Sequence, residues 1–386
     1  MSKVTLGQVA TEVRESTKDP AGLPIVGLEH LIPGEIRLTQ WSETSENTFT
    51  KLFHKGQVLF GRRRAYQKKA AVADFDGVCS GDITVIAAKP DRLLPDLLPF
   101  IVNDDRFFDF AMEKSAGSLS PRVKWAQLAE YAFDLPDDIE EQRSHAKLLW
   151  AIERNRSAYQ NLLSQMDELV KSQFVEMFGD PFESPKWETK SLFDVISSID
   201  DGSNVDTSAY ASEGKIVFLR IQNVWRDEIR LDDVVYISES TNQRYAATTL
   251  LTGDLLITKI GRINTADSSL GRVSVYRGEN GKANYSNNIM RIRFTDEVKS
   301  EFINTLMNLP KYQLFIRQSC QGSTDKRALS KAVIGKYPIV VPPIELQKQY
   351  IGFYRQTDKS KYYCQHQTIF RNVAQQVTTL NRSMIH

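Results

Sequence analysis

Cysteine is scarce in this chain of 386 residues. Cys79, Cys320 and Cys364 are too few and too scattered for a disulfide framework or a zinc site. Cys364 and His366 form a lone pair, which reads as a free thiol beside a solvated imidazole. No apolar run approaches the ~18 residues of a membrane span, and the start, Met1-Ser2-Lys3-Val4-Thr5, lacks an apolar signal core. A soluble, cytoplasmic protein with no membrane contact is expected. An excess of one charge is also missing: 49 Lys and Arg stand against 48 Asp and Glu. Any surface for nucleic acid must therefore be local rather than global. Apolar residues make up 41%, ample for real cores, and the length suits two or three domains.

Motifs for chemistry are absent too. A P-loop needs four residues between its glycines, whereas Gly278-Glu279-Asn280-Gly281-Lys282 has a shorter gap and reads as a hairpin turn. No Gly-x-Gly-x-x-Gly occurs. An amino-methyltransferase needs a polar residue ahead of Pro-Pro-aromatic, but Val341-Pro342-Pro343-Ile344 has valine there. A nuclease set built from Asp180 and Glu188-Thr189-Lys190 fits only loosely and falls in a linker. No catalytic residue, metal site or cofactor motif is expected in this chain.

Proline and glycine are also missing from Ile139 to Phe178, and that gap is informative. Leu148, Ile152, Tyr159, Leu162, Met166 and Leu169 recur in steps of four and three, with Asn155 filling the break, which is a heptad seam. Gly179 and Pro181 stop the helix. At 1.5 Å per residue, about 40 residues make a rod roughly 60 Å long, too long to bury its stripe in one small domain. Its partner is expected at the C-terminus, where Ile344-Glu345-Leu346-Gln347 repeats the opening Ile139-Glu140-Glu141-Gln142. There the seam continues through Ile369, Val373, Val377 and Leu380, antiparallel to the first.

The halves ahead of these helices resemble each other in order. Val4–Val9 matches Lys190–Val195, Ile25–His30 matches Phe218–Asn223, and Lys55–Phe60 matches Thr252–Ile257. Glu35-Ile36-Arg37-Leu38 recurs as Glu228-Ile229-Arg230-Leu231, and Arg122 faces Arg327. Such collinear similarity marks an internal duplication. Each copy reads as strands, one helix (93–114 and 300–318), a loop, a closing strand and then a long helix. The expected division is 1–138, 139–180, 181–344 and 345–386: mixed α/β domain, spacer helix, second α/β domain, second spacer helix.

Candidate binding residues follow strand ends. Arg62, Arg63, Arg64, Tyr66, Lys68 and Lys69 form a basic loop after Val58–Gly61. Lys259, Arg262 and Asn264 hold the matching place in the second copy. Phosphate contacts give affinity and arginine gives base readout, though an ordinary solvated basic loop has the same look. A second pair of small, polar loops ends basic: Ser118, Ser120 and Arg122, then Ser323, Thr324, Lys326 and Arg327. Asn284, Asn287 and Asn288 have the chemistry to read adenine edges and equally to cap turns.

This combination resembles the specificity subunit of type I restriction–modification enzymes over nearly the whole chain. The resemblance rests on the twofold plan, the two Ile-Glu-x-Gln helix openings, Phe174-x-x-x-Phe178-Gly179-Asp180-Pro181 with Trp187 beyond it, and Gly117-Ser118 and Gly322-Ser323. It implies two similar mixed α/β target recognition domains separated by two long antiparallel coiled-coil helices. Each domain would read half of a bipartite asymmetric site in double-stranded DNA, and the helices would set the gap. Two modification (methyltransferase) subunits would dock on the helices, and restriction subunits would join them. S-adenosylmethionine, Mg²⁺ and ATP would sit on those partners. The alternative is a stand-alone sequence-specific DNA-binding regulator built from the same modules. One departure is the polar seam of the second helix, with Asp358, Gln365 and Gln376.

Overall fold

The computed structural model describes residues 1–43, 48–116, 121–265, 268–320 and 325–366, and side chains only as far as 361 in the last stretch. Two compact units emerge, one built on residues 1–161 and the other on 162–363. The division falls inside a single helix rather than at either end of it.

In the first unit β1 (Ser2–Thr5), α1 (Leu6–Val9), β2 (Ala10–Val13), β3 (Ile25–Val26), β4 (Lys51–Phe53) and β5 (Val58–Gly61) come first. Then follow β6 (Ala70–Val72), β7 (Gly77–Cys79) and β8 (Ile83–Ala88), and the helices α2 (Leu98–Val102), α3 (Asp105–Glu113) and α4 (Trp125–Leu128). Strand β9 (Ala132–Leu135) closes the unit against β1, and α5 (Ile139–Phe178) leaves it. The main sheet has the order β2-β8-β5-β6. Successive side chains of a strand face opposite ways, so Val58 and Phe60 of β5 enter the core under α2 and α3, while Leu59 enters the core shared with β3, β4 and β7.

A short hairpin, β10 (Gly179–Asp180) and β11 (Ser184–Pro185), leads into the second unit. There β12 (Thr189–Ser191), α6 (Leu192–Val195), β13 (Ile196–Asp201), β14 (Ile216–Leu219), β15 (Val235–Ile237) and α7 (Glu239–Arg244) come first. Next are β16 (Leu255–Thr258), β17 (Ile260–Arg262), β18 (Val273–Val275), β19 (Ala283–Tyr285) and β20 (Ile289–Phe294). Helices α8 (Ser300–Asn308) and α9 (Pro310–Gln318), β21 (Lys326–Ala328), α10 (Lys331–Ile334), β22 (Pro338–Val340) and α11 (Ile344–His366) complete it. The sheet β13-β20-β16-β18 repeats the first unit's order, and β22 closes against β12 as β9 does against β1. Leu255 and Ile257 of β16 face the helices, and Leu256 faces the smaller sheet.

Backbone bonds show how far the duplication goes. Leu6 N–H donates to the Tyr131 carbonyl and Leu192 N–H to that of Tyr337. Gly27 N–H is capped by His30 and Arg220 N–H by Asn223. Gln142 and Gln347 are both buried at the root of a long helix. Gln142 accepts from Leu94 N–H and donates to the carbonyls of Arg92 and Pro136. Gln347 accepts from Lys299 N–H and donates to those of Glu297 and Pro342.

The copies also differ. The small sheets share one parallel pair, β3 with β7 and β14 with β19, but the third strand adds to β7 in the first and to β14 in the second. The identical Glu-Ile-Arg-Leu runs pair differently: Ile36 and Leu38 bond to Val72, whereas Ile229 bridges to Val224. Each expected single helix is two. Asp104 caps a fresh start by accepting from Arg106 N–H, and Pro310 begins α9.

The expected seam needs correction. Leu148, Leu162 and Leu169 are 43%, 38% and 49% exposed, and Tyr159 and Met166 are half-buried. The buried positions of α5 are Gln142, Ala146, Leu149, Ile152 and Glu153 in the first unit, then Val170, Phe174 and Phe178 in the second. Only Ile152 was anticipated among them. Each end of α5 turns its buried face to its own domain core, one position away from the counted stripe, and no residue of 154–169 between them is fully buried. Within the second unit α11 does run antiparallel to the end of α5: Tyr350 Oη donates to the Val170 carbonyl, and Lys361 pairs with Asp167 one turn further out. Ile369, Val373, Val377 and Leu380 lie outside the described residues.

Gly179 ends α5 at φ +80°, where a Cβ would meet the Ser184 carbonyl at 2.2 Å. The stretch beyond is docked rather than a loose linker: Phe182 packs on Tyr312 and Phe315, and Asp180 pairs with Lys311 at 2.8 Å. Lys190 pairs with Glu297, so the lysine and Asp180 of the loose nuclease set are engaged with different partners. Asp227, at φ +61°, ties α11 and α8 to the unit by accepting from Tyr354 and Asn304. Burial raises its carboxyl above the usual range, against the pull of those bonds and of Arg277.

Candidate nucleic-acid interface

Both predicted loop pairs come together, one pair in each unit. In the first unit β5 ends at Gly61, and Arg62 N–H donates to the Asp82 carbonyl. Arg63 then forms a backbone bridge with Arg122, and Arg64 N–H donates to the Pro121 carbonyl. Arg64 and Lys68 both adopt left-handed φ, of 57° and 51°, on either side of a short 3₁₀ turn. A run of cations that reads as a basic loop is therefore a turn pinned by main-chain bonds.

The side chains divide into two groups. Lys68 pairs with Asp105 at 2.5 Å and Lys69 donates to the Leu28 carbonyl, so both side chains are engaged within the unit. Arg64 and Tyr66 are exposed. Arg63 and Arg122 converge on Asp82, at 3.3 Å and 2.9 Å. Partial burial opposes ionisation of Asp82, but the bonds and charges of Arg122 and Arg63 outweigh it and hold the carboxyl below the usual range. Ser118 and Ser120 lie outside the described residues.

In the second unit β17 and β21 form a ladder that sets Gly261 opposite Arg327 and Arg262 opposite Lys326. Lys259 Nζ bonds Asp201 at 2.6 Å and the Asn287 carbonyl at 3.1 Å. Arg262 lies 3.9 Å from Asp325, which also accepts from Asn264 N–H. Asn287 is exposed and its side chain reaches Asn204 at 3.4 Å. Asn288 is half-buried, with its carbonyl accepting from Lys259 N–H. Asn284 is buried and bonded to Asn242 and Tyr245, a packing role rather than a reading one. Ser323 and Thr324 lie outside the described residues. A cleft of about 470 Å³ opens here, lined by Arg262, Thr265, Ser268, Asn288 and Lys326 among others.

The shared register can be read from main-chain bonds. Arg62 N–H goes to Asp82 and Lys259 N–H to Asn288, while the Arg62 carbonyl takes Val123 N–H and that of Lys259 takes Leu329 N–H. Arg122 therefore corresponds to Ala328, one place from the expected Arg327. Asp82, which sequence reasoning missed, corresponds to Asn288. The available signal was that Asn288 had been singled out and its counterpart had not.

No described helix is long and apolar enough to cross a membrane. Residues 185–365 match the family described as the type I restriction modification DNA specificity domain. The chain is 25% identical over 184 residues to the type I restriction enzyme EcoDI specificity subunit of Escherichia coli. That match takes in 44% of this chain and 40% of the relative, so it spans under half of the relative's length. Two solved structures share the fold at low identity. One is the S subunit of a type I restriction–modification system from M. genitalium, at TM-score 0.58 and 12% identity, covering 100% of this chain and 96% of that one. The other comes from work on complex assembly and conformational transition of the type I restriction–modification system, at TM-score 0.50 and 18% identity, covering 99% and 96%. The matched domain over residues 185–365 and the shared fold are what this chain has in common with type I restriction–modification specificity subunits.

Proposed function

We propose that the chain is the DNA specificity subunit of a type I restriction–modification complex. Each unit reads one half of a bipartite, asymmetric site in double-stranded DNA. The observation that carries this reading is the repeated basic edge: one backbone register in both units, dressed with different side chains. A shared register with different polar groups suits two readers of two sequences. Specificity subunits are non-catalytic components of such systems. In this reading two modification subunits dock on α5 and α11, restriction subunits join them, and S-adenosylmethionine, Mg²⁺ and ATP belong to those partners. The complex works in the cytoplasm.

The test is selection from a pool of randomised duplexes, with the full chain alone and with the modification subunit that co-purifies with it. The bound fraction is expected to show two short specified runs around an unspecified gap. A bound fraction without pattern overturns the proposal. Helix α5 is proposed to set the gap. Deleting Asn161–Ser164, about one turn or ~6 Å, is expected to shorten the gap by about two base pairs and leave both runs unchanged. An unaltered gap would remove that role.

A further inference from the structure

Asp82 accepts from Nε and Nη2 of Arg122, at 2.9 and 3.5 Å, and from Nη1 of Arg63, at 3.3 Å. The three residues are also locked through the main chain. Arg62 N–H bonds the Asp82 carbonyl, and Arg63 bridges to Arg122. Both guanidinium groups remain reachable, with side chains 38% and 49% exposed.

The second unit shows what this cluster is for. At the same backbone places it carries Ile260, Asn288 and Ala328. Both arginines and the carboxylate are replaced together by neutral residues, while the fold around them stays the same. A carboxylate needed by the scaffold would have no reason to disappear with the two arginines. Asp82 belongs to the arginines rather than to the sheet.

Resting on the DNA-reading proposal, we infer that Arg63 and Arg122, oriented by Asp82, determine the specificity of the first unit, and that the half-site it reads contains guanine. Guanine alone presents two acceptors, O6 and N7, to a guanidinium in the major groove. Arg122 spends its Nε–Nη2 side on Asp82, which leaves the terminal Nη1–Nη2 end in a fixed direction. A fixed planar fork suits bidentate readout and loses less freedom on binding. The carboxylate also cancels part of the positive charge and repels phosphate, which disfavours sequence-independent gripping.

The experiment repeats the duplex selection with the full chain carrying Asp82→Asn, Arg122→Lys or Arg63→Lys. The wild type is expected to specify at least one guanine in one half-site. Asp82→Asn is expected to lower the preference for that guanine about tenfold or more, leave the other half-site unchanged, and steepen the loss of binding with added salt. Arg122→Lys keeps the charge and the pairing with Asp82, so it tests the fork even where Asp82→Asn folds poorly. It is expected to erase the same guanine. Unaltered motifs in Asp82→Asn and both lysine variants, or loss spread evenly over both half-sites, would overturn the inference while leaving the DNA-reading proposal standing. A wild-type chain that selects no motif overturns both.

Discussion

Urea denaturation of a Phe174→Ala chain is expected to show the second unit destabilised by about 3–5 kcal/mol, the usual cost of removing a buried phenylalanine. Phe174 is fully buried, with ring centroids 4.9 Å from Phe178, 5.1 Å from Phe302 and 5.2 Å from Tyr350. Those neighbours lie on α5, α8 and α11, so a single ring joins the end of the long helix to two others. The matched control is Leu169→Ala. The heptad count made Leu169 a seam residue, yet it is 49% exposed, and its truncation is expected to cost within about 0.5 kcal/mol. Equal losses from the two variants would restore the counted seam and refute the packing described here.

Gln347→Leu is expected to cost the second unit about 3 kcal/mol or more, although leucine fills nearly the same space. The replacement strands Lys299 N–H and the carbonyls of Glu297 and Pro342, and each buried unpaired group costs about 1–3 kcal/mol. Gln142→Leu is expected to do the same to the first unit through Leu94, Arg92 and Pro136. Stabilities within 1 kcal/mol of wild type, read from urea midpoints at constant slope, would show that water replaces the amide at these roots.

The two glutamines show what sequence reasoning reaches. The repeated Ile-Glu-x-Gln was visible as a pattern and marked both helix starts. Its physical content was not visible, because a glutamine that satisfies three main-chain groups from two segments becomes apparent only once those segments meet. The strands were legible for a local reason: Val58-Leu59-Phe60 and Leu255-Leu256-Ile257 alternate between two cores. The seam was misread because its true members include Gln142 and Glu153, which a count of apolar residues passes over. At the candidate interface the basic loops were legible as composition. Their joining through Arg63 and Arg122, the internal engagement of Lys68 and Lys69, and the part played by Asp82 all depend on pairings between distant segments, which no local pattern encodes.

Residues 154–169 of α5 lie between two buried ends, and none of their side chains is fully buried. Arg156 there donates to the Gly34 carbonyl and Asp167 pairs with Lys361, so each unit also takes hold of its own side of the stretch. Separate cores at the two ends of one helix give heat or denaturant two bodies to act on, and distinct midpoints are the expected result of a urea titration.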